Sequence, residues 1–86
     1  MTYDNEDLRE ALRIWQTPFR ENPEAVHRAL SIVRHWRTEM KSELRTLLRA
    51  SERYREVKKQ EERLENATLD LHSALLIQMN ARKTGG

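Results

Sequence analysis

Apolar residues recur at helical spacing along almost the whole chain. Leu8, Ala11, Leu12 and Trp15 fall at i, i+3, i+4 and i+7, one face of a helix, with Arg9 and Arg13 off it. The spacing predicts a first helix over about 5–16, with Asp4 as its cap and Glu6, Asp7 and Glu10 near the positive end of the helix dipole. Thr17-Pro18 ends it, because the residue before a proline is pushed out of the α region, and Phe19 is expected to stay packed.

Asn22-Pro23-Glu24 is the strongest local signal. Asparagine can accept from the first-turn amides, proline at the first helical position lacks an amide that would be orphaned anyway, and glutamate adds favourable charge. From there Val26, Ala29, Leu30, Val33, Trp36, Met40, Leu44, Leu47 and Leu48 recur every three or four residues and form one broad face. The first helix is expected to fold antiparallel onto that face, bringing Trp15 and Trp36 into one aromatic cluster.

No proline follows Pro23, and no glycine precedes Gly85-Gly86. The chain therefore reads as a long second helix over about 23–65, with 68–83 as its continuation or as a third helix and 84–86 as a tail. A strict seven-residue frame supports a coiled coil. Val26, Val33, Met40, Leu47, Tyr54 and Leu75 fall at position a, and Ala29, Trp36, Ala50, Val57, Leu64 and Leu71 at position d. Glu43, Glu61, Thr68 and Gln78 interrupt that seam. The alternative is a break with a helical hairpin. Asn66, which tolerates a left-handed helix end, followed by Thr68 as a new cap, is the better candidate; Ser51-Glu52 is weaker, having no residue suited to a tight reversal.

Composition narrows the rest. The chain has 86 residues, 37% hydrophobic and 35% charged, and no cysteine. So short a chain has little core, disulfides are excluded, and oligomerisation is the remaining common support. No apolar run is long enough to span a bilayer and the start is acidic, so no membrane is expected and the cytoplasm of a cell or an infected host is the default. The expected partners are a second copy of the chain, as a homodimer or higher oligomer, and another protein. Val33, Trp36, Met40, Leu44, Leu47, Tyr54, Val57, Leu64, Leu71, Leu75, Leu76 and Met79 are the candidate interface residues. The Ala74–Met79 patch points several ways around a helix and is the leading docking site.

Candidate chemistry is sparse. His27, His35 and His72 lack metal-ligand spacing, no glycine-rich phosphate loop is available, and paired carboxylates such as Glu61-Glu62 lie in a solvated charge run. No enzyme activity, cofactor, metal or small-molecule substrate is expected. Arginine supplies most of the bases, and Arg37, Lys41, Arg45, Arg49 and Arg53 follow at i+4, with Arg34 and Arg28 at the start, as a basic ridge along one helix. Such a ridge can track phosphates by charge and shape. Interleaved acids, Glu39, Glu43 and Glu52 among them, favour a solvated coiled-coil surface instead. The sequence thus reads as all-α: a short N-terminal helix packed on a long amphipathic one, in a coiled-coil or hairpin assembly that acts as an adaptor, assembly factor or inhibitor. A dimeric nucleic-acid binder using the ridge is the alternative.

Overall fold

The computed structural model describes residues 5–17 and 22–85, with side chains described to Gln78. It contains three helices: α1, Glu6–Gln16; α2, Pro23–Thr46; and α3, Glu52–Gly85. Phe19, and the side chain of Met79, lie outside the described residues.

Each helix start is set by local chemistry. Asn5, rather than Asp4, caps α1: its side-chain oxygen accepts from the amides of Asp7 at 2.9 Å and Leu8 at 3.4 Å. Thr17 takes an extended backbone (φ −72°, ψ 127°), as its position before Pro18 requires. Asn22 accepts from the Ala25 amide at 2.9 Å, with Pro23 in the first turn.

The long second helix over 23–65 is not present; the chain breaks at 47–51, beside Ser51-Glu52, the weaker of the two candidate breaks. Leu47 goes extended (φ −96°, ψ 148°), and Ser51 closes the turn by donating its hydroxyl to the Leu48 carbonyl at 2.7 Å. The same Ser51 oxygen accepts from the Tyr54 amide at 3.1 Å, capping α3. The reversal requires no left-handed residue, since no described residue has positive φ. Glycine and asparagine, the usual residues of a tight helix end, are therefore not needed here. Ser51→Ala should cost about 1 kcal/mol in chemical denaturation by removing the cap. In an uninterrupted helix the same change would stabilise, because alanine is the better helix former.

The expected break near Asn66 does not occur. α3 runs through it, Ala67 is fully buried, and the Thr68 hydroxyl donates back to the Leu64 carbonyl at 2.7 Å instead of capping a new helix.

α2 and α3 run antiparallel. Arg53 reaches Glu43 beside the turn, and Arg37 reaches Glu61 and Glu65 farther along. The apolar heptad positions Val26, Val33 and Met40 of α2, and Val57, Leu64 and Leu71 of α3, are all buried. α1 lies across this pair and adds Leu8, Ala11 and Ile14 to one core. Ile14 follows Ala11 by three residues on the expected face and is more deeply buried than Leu12 or Trp15. Leu8 and Leu12 meet Met40, Gln60, Arg63 and Leu64 around a crevice of about 80 Å³.

Trp15 and Trp36 do not form the expected cluster. Trp36 lines a shallow depression with Asn5 and Asp7 at the start of α1 and meets His35 edge to face at 5.2 Å. Trp15 sits eight residues farther along α1 than Asp7, about 12 Å at 1.5 Å per residue. There its indole donates to Asp70 at 2.8 Å, and the Arg63 guanidinium lies 5.8 Å from its ring centre. These contacts fix the end of α1 to α3.

The body is elongated, 53 × 20 × 18 Å. α3 has 34 residues and α2 has 24, so α3 is longer by ten residues, about 15 Å. Because the two are joined at the turn, that excess projects past the start of α2.

Candidate interaction surfaces

The described residues expected at an intermolecular seam divide into three groups. Val33, Met40, Val57, Leu64 and Leu71 are buried in the chain's own core. They mesh with the opposite arm of the same chain, because the reversal at 47–51 supplies the partner helix that the heptad spacing demands. Trp36, Leu44, Leu47 and Leu75 are half-buried at the edges of that core, and Tyr54 is half-buried. Leu76 is exposed.

Exposed large apolar side chains concentrate on α3. Leu69 is 60% exposed, Leu76 48% and Ile77 68%. Leu69 and Leu76 are seven residues apart, hence on one line of the helix, with His72 and Ser73 exposed between them. Leu48, expected on the core face of a continuous helix, lies instead in the α2–α3 turn and is 80% exposed.

The basic ridge is divided by the same turn. Arg34, Lys41 and Arg45 are exposed on α2, Arg49 is exposed in the connection, and Arg53 belongs to α3. Two of the proposed contact residues are held within the chain. The Arg53 guanidinium makes a bidentate pair with Glu43, at 2.6 and 3.1 Å. Arg37 lies 3.6 Å from both Glu61 and Glu65.

Among the described residues Glu61 is the buried charge, 4% exposed at a heptad position between Val57 and Leu64. Arg37 approaches one carboxylate oxygen and Lys58 the other, at 3.6 and 3.7 Å, so both contacts are ionic and longer than hydrogen bonds. The interruption that Glu61 made in the apolar frame is thus an ion-pair position between α2 and α3.

Elsewhere the surface is ordinary. Glu10 accepts from Arg13 at 2.6 and 3.0 Å, and that hydrogen bond, helped by the charges of Arg13 and Arg28, holds its carboxyl below the usual value. His27, His35 and His72 are exposed, and no group of three metal-ligating side chains occurs among the described residues. No described helix is long and apolar enough to cross a membrane. No protein-family model, curated protein or solved structure matches the chain.

Proposed function

We propose that the protein is a non-enzymatic helical interaction module, an adaptor, assembly factor or inhibitor, whose docking element is the outer face of α3 toward its C-terminal end. The observation that carries this reading is the position of Leu69, Leu76 and Ile77: exposed, on one helix, the last two where α3 outruns α2. Apolar anchors spaced at i and i+7 on a projecting helix suit coiled-coil-type pairing or insertion into a groove.

A second copy is the simplest occupant. In an antiparallel pair centred between His72 and Ser73, Leu69 of one chain comes opposite Leu76 of the other. Covering the three exposed side chains on both copies is worth about 9 kcal/mol at roughly 1.5 kcal/mol each. Association costs at least about 4 kcal/mol, which leaves a dissociation constant of about 200 μM or weaker. The self-contact is therefore weak and reversible, and a partner with a fitted groove would displace it.

Sedimentation equilibrium tests this directly. The protein should pass from monomer to dimer over tens to hundreds of micromolar, while Leu69→Glu/Leu76→Glu stays monomeric with unchanged helicity, since both sites are exposed. Identical association curves for the two proteins would remove α3 as the docking element.

A further inference from the structure

The turn that breaks the expected ridge builds a different basic surface. Residues 37–59 hold eight bases against four acids, in a chain whose net charge is only +2. The fold sorts these charges by face. On α3, Glu52 and Glu56 fall in the i+4 row that reaches Gln60, which with Arg63 one i+3 step on forms the edge packed toward Leu8, Leu12 and Trp15 of α1. Glu43 is turned to Arg53.

On the opposite edge the α2 row Arg37, Lys41, Arg45 faces the α3 row beginning at Lys58 and passing through Glu61 and Glu65. At the first level the charges match: Arg37 meets Glu61 and Glu65. One turn nearer the connection they do not. Antiparallel register sets Lys41 level with Lys58, and Arg45 level with Tyr54. Lys41, Arg45, Arg49 and Arg55 are exposed and have no ion pair among the described residues, and Lys58 has only its contact to Glu61.

The geometry points to a site for the phosphate backbone of duplex nucleic acid on the face of the α2–α3 pair turned away from α1, formed by Lys41, Arg45, Arg49, Arg55 and Lys58. From Lys41 to the turn is about 12 Å, a length over which a duplex carries on the order of seven phosphates. The neighbouring aromatic, Tyr54, is half-buried, so the surface offers no open ring on which an unpaired base could stack. Within the basic row itself there is no apolar anchor of the kind that dominates protein interfaces, whereas phosphate binding draws its free energy from released counterions. Leu48 projects from the turn as a single exposed apolar residue, which is common on protein surfaces. This site is separate from the α3 docking face and stands or falls without it.

Fluorescence anisotropy with a labelled mixed-sequence duplex of about 20 base pairs tests the site. Five phosphate contacts give a log–log salt slope of about −4.5, a loss of affinity of several hundred-fold between about 50 and 200 mM salt. Arg45→Glu should weaken binding at least about tenfold and flatten the slope by about one. Arg28→Glu makes the same change in net charge but lies toward Glu10 of α1, and should alter affinity less than about twofold. Circular dichroism should report unchanged helicity for both variants. Absence of binding at low salt, or equal weakening by both variants, overturns the site. So does competition by polyglutamate equal to that by unlabelled duplex at matched charge, which would reassign the surface to an acidic protein.

Discussion

Leu64→Ala should lower the melting temperature by about 15 °C while leaving the protein folded at room temperature. Leu64 is 2% exposed and stands where all three helices meet, with Leu8 and Leu12 of α1 and Met40 of α2 around it. Truncation removes buried methyl groups and enlarges a crevice that rigid helices cannot collapse around, at a cost of about 3 kcal/mol. In so short a domain each kcal/mol moves the midpoint by roughly 4–8 °C. A thermal melt followed at 222 nm reads it. A shift below about 5 °C would show that α1 does not close over the α2–α3 pair at this level.

The second large effect concerns Arg37 and Glu61. Arg37→Met should destabilise by about 2 kcal/mol, because Glu61 remains buried with only Lys58 as counter-charge. The value is set below that of a fully buried pair because the Arg37 side chain is 25% exposed. The double variant Arg37→Met/Glu61→Leu should recover at least wild-type stability, since an apolar pair at this position avoids desolvating two ions. Urea denaturation of both variants decides the matter. A double variant less stable than the wild type would mean that the ion pair contributes net stability, not only a fixed pairing of α2 with α3.

The heptad residues show how one apolar pattern leaves open which helix covers it. Val26, Val33, Met40, Val57, Leu64 and Leu71 satisfy a heptad frame, and all six are buried. Periodicity states which side of a helix is covered; it does not state by what. A chain that doubles back satisfies the frame as well as a second chain does. The choice turned on Leu47–Ser51, where an extended leucine and a serine cap reverse the chain without glycine, proline or a left-handed residue. Leu47 itself, a central seam position in a continuous rod, becomes a half-buried helix end.

The sequence by itself determined the helical class, the start of α2 at Asn22-Pro23, the end of α1 before Pro18, and most of the residues that leave water. Those follow from interactions within a few residues: capping, proline sterics and the 3.6-residue period. Only the tertiary structure decided that α3 folds back on α2, that Glu61 meets Arg37, and that Trp15 binds Asp70 and not Trp36. Each of these joins residues separated by a chain reversal. A reversal is selected by the burial it permits across the whole molecule, which no local window contains.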